Sequence, residues 1–345
     1  MKDLAFSSLQ AWVDGLSFGG MDESCYRAAR ARQHVLTKPR GSLGRLEDIA
    51  CWLAGWQGRA RPSAETVGVH LYAGNHGIAS KGVSAYPPEV TAQMVENFVA
   101  GGAAVNQLCG LYGYDLQVHV ADLDKPTRDF SQQTAMDEET CLQAVMSGYE
   151  SVVHGTEDII VLGEMGIGNS TAAAALCHAC FGGNIDTWVG RGSGVDEQGF
   201  ARKRSVLRDA VAYHAKAQTL VPSNPWVCLQ AFGGYEIAAC LGAVLAARTR
   251  SVAVILDGFI CCSAAAVLYG YKQELLDHCL FGHISAEAGH ALLLQKMDKK
   301  PLLSLDMRLG EGSGGVLAAS LVQAAVMCHN GMASFDEAGV SDKES

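Results

Sequence analysis

One glutamate of the sequence is placed where a carboxylate could act as a base. Glu311 lies inside the glycine-rich run LGEGSGG at 309–315, directly before an apolar pattern typical of a helix. Few neighbouring side chains would shield it from a ligand, and a dry pocket raises the pKa of a carboxyl toward values that suit a general base. The alternative is a helix N-terminus whose dipole stabilises the glutamate, and the pattern alone favours that alternative.

Two further glycine-rich segments have the composition of phosphate-binding loops. In the run GEMGIGNST at 163–171, a predicted strand leads into glycines and then into an alanine-rich helix. The run GRGSG at 190–194 is followed by Lys203 within a short basic group. Free N–H groups at a helix start, glycines that let the backbone approach and a nearby cation together favour a phosphate. The alternatives are an ordinary capped turn and a flexible surface loop.

A fourth segment could form the wall of a pocket for an aromatic ligand. Tyr86, Met94 and Phe98 follow the first predicted strand at spacings that could bring their side chains against a flat ring. Ser84 and Gln93 could supply the few polar contacts that a small-molecule site needs. The alternative, which is the commoner outcome for aromatic and methionine side chains, is that they pack in the core.

Six short apolar runs alternate with helical patterns and predict the framework that positions these segments. The predicted strands cover 67–72, 116–121, 158–162, 252–256, 279–284 and 302–305. Strands that alternate with helices predict right-handed βαβ units, and therefore an α/β fold with a mostly parallel sheet flanked by helices. Such sheets bind ligands outside the carboxyl ends of their strands, where Glu164 and Asp257 are predicted to follow the third and fourth strands.

Composition and charge exclude several classes of protein. The chain has 345 residues and a net charge of −10 without a basic stripe, which argues against nucleic acid as a partner. The longest apolar stretch, 252–270, contains Asp257 and Gly258, so it predicts a strand, a turn and a helix and no membrane span. The first residues lack a signal-peptide pattern, and we therefore expect a cytoplasmic protein.

The cysteines do not predict a metal or redox centre. Twelve cysteines are spread along the chain without the spacing of a disulfide framework, so we expect most of them to be reduced and buried. A single CxxC, formed by Cys177 and Cys180, lies in the alanine-rich helical stretch and has no second pair nearby. A zinc site needs a matching set of ligands, and we therefore expect no metal and no other cofactor.

Taken together, the motifs resemble those of the nicotinate-nucleotide–dimethylbenzimidazole phosphoribosyltransferase family. The matching segments follow the family's order over nearly the whole chain: KPRGSLGRLE (38–47), GNHGI (74–78), GVSAYPPEVTAQM (82–94), GEMGIGNST (163–171), GRGSG (190–194), FGGYEIAA (232–239), LDGF (256–259), HISAEAGH (283–290) and LGEGSGG (309–315). Each motif alone is weak, but a chance match of the whole set is very improbable.

The resemblance implies a fold, an assembly and a reaction. It implies a Rossmann-like α/β catalytic domain at 63–327 and a smaller, mainly helical domain at 1–62, joined by the C-terminal segment 328–345, in a homodimer. It also implies transfer of the 5-phosphoribosyl group of nicotinate mononucleotide to a benzimidazole-type base, with the β-linkage becoming an α-linkage. No metal or redox cofactor is implied. The glutamate of the family's LGEG motif, taken as the general base, matches Glu311.

Pattern and resemblance together predict three groups of site residues. Glu311 is the predicted catalytic base. The predicted phosphate and ribose contacts are Glu164, Gly166, Gly168, Asn169, Ser170, Thr171, Arg191, Gly192, Ser193, Gly194 and Lys203. The predicted contacts of the base are Ser84, Tyr86, Gln93, Met94 and Leu309.

Two residues depart from the family's pattern, and two other functions are weighed against the one that the resemblance implies. Asn75 stands where many members have Asp, and Pro88 stands where Gln is frequent, which could alter the rim of the base pocket. A nicotinamide-dependent dehydrogenase would need GxGxxG after the first strand, and the chain has AGNHG there. A non-catalytic nucleotide- or vitamin-binding protein would not need Glu311.

Overall fold

A six-stranded parallel sheet forms the centre of the computed structural model, which describes residues 8–217 and 224–341. The strands are β1 (Val67–Ala73), β2 (Asp115–Val120), β3 (Ile159–Met165), β4 (Ala253–Leu256), β5 (Cys279–Ile284) and β6 (Pro301–Ser304). All six predicted strands are confirmed. The largest difference is at β3, which continues to Met165, so Glu164 is part of the strand's end and does not follow it.

The order of the strands places a crevice at the sheet's carboxyl edge. The order is β2-β1-β3-β4-β5-β6, and every neighbouring pair is parallel. From β1 the chain moves outward to β2 and then returns to the opposite side of β1 at β3, so the strand order reverses between β1 and β3. Open α/β sheets bind ligands at such a reversal.

Fourteen α-helices among the described residues surround the sheet. They are α1 (Leu9–Asp14), α2 (Glu23–Val35), α3 (Arg45–Gln57), α4 (Val90–Val99), α5 (Ala104–Tyr112), α6 (Glu138–Val153), α7 (Asn169–Phe181), α8 (Glu197–Lys216), α9 (Pro225–Phe232), α10 (Tyr235–Thr249), α11 (Phe259–Tyr271), α12 (Ala288–Lys296), α13 (Ser313–Gly331) and α14 (Phe335–Ala338). Helices cover both faces of the sheet, as the strand–helix alternation predicts.

The strands are buried on both faces, and alternate residues enter two different cores. In β3, Ile160 and Leu162 pack with α6, α7, α10 and α11, whereas Ile159 and Val161 pack with α3, α5 and α13. Successive side chains of a strand point to opposite faces, so a continuous apolar run is what a doubly covered strand requires. The sheet is therefore held rigidly beneath the loops at its carboxyl edge.

The two ends of the chain meet at one side of the molecule. Arg32 of α2 donates hydrogen bonds to the carbonyl oxygens of His329, at 2.8 Å, and of Met332, at 2.9 Å. Leu53 of α3 also packs into the same core as Val161 of the sheet. The division into a 1–62 plus 328–345 domain and a 63–327 domain stays a prediction.

The apolar stretch 252–270 folds as the sequence indicates. It forms β4, a turn at Asp257 and Gly258, and helix α11. Within the described parts of the chain, no helix combines the length and the apolar character that a membrane span needs.

Candidate active site

The predicted motifs converge on one cavity at the carboxyl edge of the sheet. Its volume is about 370 Å³. Residues from all four predicted segments line it: Ser84, Tyr86, Met94, Glu164, Gly166, Gly168, Asn169, Ser170, Gly192, Ser193, Leu309 and Glu311. Segments that are more than 200 residues apart along the chain therefore form a single site.

Glu311 stands on a tight loop with an unusual backbone. Its φ is +63°, and those of Gly310 and Gly312 on either side are +84° and +81°. Glycine adopts this left-handed region readily, whereas glutamate is rarely found there, so the surrounding loop must hold Glu311 in place. A Cβ atom at Gly310 would also lie 2.7 Å from the Glu164 carboxylate, which brings the two acids close together.

The environment of Glu311 changes its acidity. The side chain is buried, with 6% of the residue exposed. Burial raises the pKa of the Glu311 carboxyl to about 7, and the charge of Asp257 contributes in the same direction. A carboxyl with this pKa is present in both protonation states near neutral pH, which is the condition that suits a general base.

Asp257 anchors the Glu311 loop through hydrogen bonds to its backbone. It is fully buried after β4, and its carboxylate accepts hydrogen bonds from the N–H groups of Gly312, at 3.1 Å, and Gly315, at 2.8 Å. These bonds use donors at the start of α13 that have no partner within the helix. Asp257 therefore both anchors the loop and supplies the negative charge that Glu311 experiences.

Glu164 is a second buried acid in the cavity. Burial, followed by the charges of Asp257, Glu236 and Glu311, raises the pKa of Glu164 well above its ordinary value. The Asn169 side-chain amide donates a hydrogen bond to one of its oxygens, which opposes the shift. A carboxyl with a raised pKa holds its proton more tightly, and a protonated carboxyl can donate a hydrogen bond as well as accept one.

A buried cation lies next to the part of the cavity that Ser170 and Gly192 line. Lys203 is fully buried, and its ammonium group donates a hydrogen bond of 2.8 Å to the Ser170 hydroxyl in the first turn of α7. Burial lowers the pKa of Lys203 to about 8, while the charge of Glu287 opposes that shift. Gly192 lies directly against this pair, because a Cβ atom there would be 2.8 Å from the Ser170 hydroxyl. The helix start, the cation and the glycine loop together form a site suited to a phosphate.

Five predicted contacts do not line the cavity. They are Lys203, which contacts the lining residue Ser170, and Thr171, Arg191, Gly194 and Gln93. Thr171 is fully buried within α7, and Gln93 is exposed on α4. The Arg191 guanidinium pairs with Glu197 and lies over the Phe200 ring, so it is engaged on the outer side of its loop.

Several lining residues lie outside the predicted set. They are Val90, Met165, Ile167, Gly258, Phe259, Ile260, His283, Ser285, Glu287 and Arg308. Half of them belong to the LDGF and HISAEAGH motifs, which overlap the ends of strands β4 and β5. The position of these two motifs at strand ends was the sequence signal that could have identified them as part of the site. The His283 ring lies 3.5 Å from the Asp257 carboxylate; although burial alone would lower the pKa of His283, the hydrogen bond and charge of Asp257 raise it.

Comparisons with known proteins identify relatives over nearly the whole chain. A family model described as phosphoribosyltransferase matches residues 19–340. The chain is 53% identical over 338 residues to a relative from Novosphingobium aromaticivorans, covering 98% of each chain. A relative from Brucella anthropi is 51% identical over 323 residues, covering 93% of this chain and 94% of the relative. Both relatives are named nicotinate-nucleotide–dimethylbenzimidazole phosphoribosyltransferase.

A solved structure shows the same architecture. The crystal structure of CobT from Thermus thermophilus superposes with a TM-score of 0.85 at 38% identity, covering 92% of this chain and 99% of that one. The matched length, the identity and the shared fold all point to one group of proteins. The chain therefore belongs to the nicotinate-nucleotide–dimethylbenzimidazole phosphoribosyltransferase family.

Proposed function

We propose that this protein transfers the 5-phosphoribosyl group of nicotinate mononucleotide to 5,6-dimethylbenzimidazole, giving α-ribazole 5′-phosphate and nicotinate. The observation that carries the proposal is the pairing, within one cavity, of a carboxyl whose pKa is about 7 with a site suited to a phosphate. The names of the relatives supply the two substrates. Glu311 is the general base of the reaction.

The nucleotide binds with its phosphate at the start of α7. Ser170 and the glycine loop around Gly192 contact the phosphate oxygens, and Lys203 supplies the charge from behind Ser170. A buried ammonium is stabilised by an anion more strongly than an exposed one, because water screens neither charge. The phosphate thereby places the ribose between this end of the cavity and Glu311.

The acceptor base binds at the mouth of the cavity. Tyr86 and Leu309 are 52% and 57% exposed there, and Met94 is partly buried beside them. A flat, apolar ring that covers these side chains would remove their surface from water, which stabilises the complex. Ser84 supplies a hydroxyl at the same wall, so the pocket suits an aromatic heterocycle with few polar atoms.

The reaction then needs one proton transfer and one displacement at carbon. The ionised Glu311 takes the N–H proton of the benzimidazole while the opposite ring nitrogen forms a bond to ribose C1. The bond from C1 to the pyridinium nitrogen breaks, its electron pair stays on that nitrogen, and nicotinate leaves. Attack opposite the leaving group converts a β-linkage into an α-linkage, which is the inversion at ribose C1 included in the proposal.

The enzyme's main contribution is to hold the reactants in line. The leaving group departs from a cationic ring, so no acid is needed at that side. Correct positioning of two reactants is worth roughly 7–11 kcal/mol for well-oriented groups. The rigid, doubly covered sheet and the loop fixed by Asp257 provide that positioning.

Incubation of the purified protein with nicotinate mononucleotide and a panel of bases tests the proposal. The panel contains dimethylbenzimidazole, benzimidazole, adenine and a phenol, and mass spectrometry identifies the products. We expect phosphoribosylated benzimidazoles together with free nicotinate in equal amounts. Nucleotide binding without any transferred product would favour a non-catalytic binding protein instead.

A further inference from the structure

The cavity contains a third buried acid, Glu287, that the proposed mechanism does not use. Only 8% of Glu287 is exposed, yet it lines the cavity. Its Oε2 atom is buried and has no hydrogen-bond partner among the residues that the structure describes. A carboxylate that lines a ligand site without a donor among the described residues is costly, and a ligand at that site can supply the missing donor.

The GRGSG loop fixes the position of Glu287 relative to the cation. A Cβ atom at Gly190 would overlap the Glu287 Oε2 atom, whereas one at Gly192 would lie 3.3 Å from the Lys203 ammonium nitrogen. Gly190 and Gly192 are two residues apart, so their Cα atoms are separated by at most about 7 Å. The carboxylate and the ammonium thus lie beside two nearby glycines of one loop.

These two charges divide the end of the cavity into an anion site and a hydroxyl site. A phosphate is attracted to Lys203 and repelled by Glu287, whereas a neutral hydroxyl can donate a hydrogen bond to the carboxylate. In nicotinate mononucleotide the phosphate is joined to the ribose through one methylene group. A phosphate bound at Ser170 and Lys203 therefore brings the ribose hydroxyls within reach of Glu287.

We infer that Glu287 accepts a hydrogen bond from a ribose hydroxyl and thereby makes the protein select ribosyl over deoxyribosyl nucleotides. The inference rests on the phosphate position of the proposed function. A site that is built to bond a hydroxyl discriminates strongly against a substrate that lacks it, because the carboxylate is then left buried and unpaired. Glu287 is here a residue of substrate specificity, and Glu311 keeps the chemical role.

Kinetic measurements with three nucleotides and three proteins test the role of Glu287 in substrate specificity. The values of kcat/KM are measured for nicotinate mononucleotide and its 2′-deoxy and 3′-deoxy analogues with the wild-type protein, with Glu287→Ala and with the exposed-site control Glu274→Ala. For the wild type and the control, removing one of the two hydroxyls should lower kcat/KM roughly 10- to 100-fold, the range for a hydrogen bond to a charged group. For Glu287→Ala the same removal should change it less than about threefold.

A second variant and a binding measurement keep the test decisive. Gly190→Ala places a methyl group where the Glu287 carboxylate lies, and should reduce the discrimination in the same way. Calorimetry compares the binding of ribose 5-phosphate, 2-deoxyribose 5-phosphate and 3-deoxyribose 5-phosphate, which needs no base and no turnover. We expect the wild type to prefer ribose 5-phosphate over one deoxy compound and Glu287→Ala to lose that preference.

The outcomes separate this inference from the proposed function. Hydroxyl-selective binding that depends on Glu287, without transfer to any base, would contradict the proposed reaction and support the role of Glu287. Transfer with the same hydroxyl discrimination in wild type and Glu287→Ala would support the reaction and overturn the inference. An equal loss of activity on all three nucleotides, with a lowered melting temperature, would show Glu287 to be a structural residue and would also overturn it.

Discussion

Glu311 combines burial, a left-handed backbone and a nearby like charge, and each of these costs stability. Burial and the charge of Asp257 disfavour the ionised carboxylate, and this is what makes the carboxyl basic at neutral pH. A carboxyl in water would be ionised but a weak base, whereas Glu311 binds a proton about as readily as imidazole does.

Replacing Glu311 by glutamine should leave the fold and phosphate binding intact and lower turnover by roughly 10²–10⁴-fold. Glutamine has the same shape but cannot take the proton of the base. Steady-state kinetics with nicotinate mononucleotide and dimethylbenzimidazole measure the effect, and Glu274→Gln, an exposed glutamate, serves as the control. A folded Glu311→Gln protein with near-normal kcat would remove Glu311 from the role of base.

The same substitution should stabilise the protein at alkaline pH. The pKa of Glu311 rises from 4.5 to about 7 in the folded state, so the native form binds the proton more tightly than the unfolded form. The wild type therefore loses stability as pH rises from about 4.5 to about 7, by up to about 3 kcal/mol. Glu311→Gln has no such loss. Urea denaturation should show the variant more stable than wild type at pH 8 and the difference smaller at pH 5; equal stability at both values would argue against the raised pKa.

The sequence was informative about Glu311 but not about its neighbours. Glycines on both sides marked Glu311 as a special backbone position, and the structure shows that position to be left-handed. The sequence indicated Asp257 only by its position after the fourth predicted strand, and it assigned no role to Glu287. Their importance depends on distances across the cavity to Glu311 and Lys203, which arise only when separate strands end at the same edge.

At the scale of elements, the start of α7 and helix α8 together form the predicted phosphate site. Replacing Lys203 by methionine should raise the KM for nicotinate mononucleotide and lower kcat/KM roughly 10- to 100-fold, because one charge-assisted interaction is lost. The KM for the base should change little. Lys216→Met, at the exposed end of the same helix, is the matched control. A change confined to the KM of the base would show that the phosphate lies elsewhere.

The acidity of Lys203 adds a pH dependence to this element. Burial lowers the pKa of its ammonium to about 8 in the free protein. Because an anion needs the protonated form, the affinity for ribose 5-phosphate should fall as pH rises above about 8, and Lys203→Met should abolish that dependence. Calorimetric titrations at pH 7 and pH 9 provide the measurement, and the same loss of affinity in both proteins would contradict the assignment.

The strands were predictable from sequence because each is a short apolar run between turn residues. The run at 279–284 coincides with β5, since a doubly buried strand tolerates no polar face. The order β2-β1-β3-β4-β5-β6 was not predictable in the same way, because parallel pairing is decided by long-range packing. Arg191 illustrates the limit: its loop was identified, but the direction of its side chain depends on Glu197 and Phe200 in the next helix.

At the scale of the whole molecule, activity should require no added metal and should survive both EDTA and a reductant. Nicotinate leaves from a cationic ring and the base is a carboxylate, so the reaction has no need of a Lewis acid. Cys177 is buried and Cys180 is half-buried on α7, and the described ranges 8–217 and 224–341 contain no group of three or more metal-binding side chains. Assays after exhaustive EDTA treatment, with metal content determined by mass spectrometry, decide the matter. A stoichiometric zinc whose removal abolishes turnover would contradict the metal-free mechanism and would make the CxxC a ligand.

The configuration of the product tests the central claim most directly. The purified protein is incubated with nicotinate mononucleotide and dimethylbenzimidazole, and NMR spectroscopy of the ribosylated product determines the geometry at C1. In-line attack by the base, with Glu311 removing its proton, predicts an α-linked ribazole 5′-phosphate formed in step with free nicotinate. A β-linked product, or nicotinate released together with ribose 5-phosphate and no ribosylated base, would contradict it.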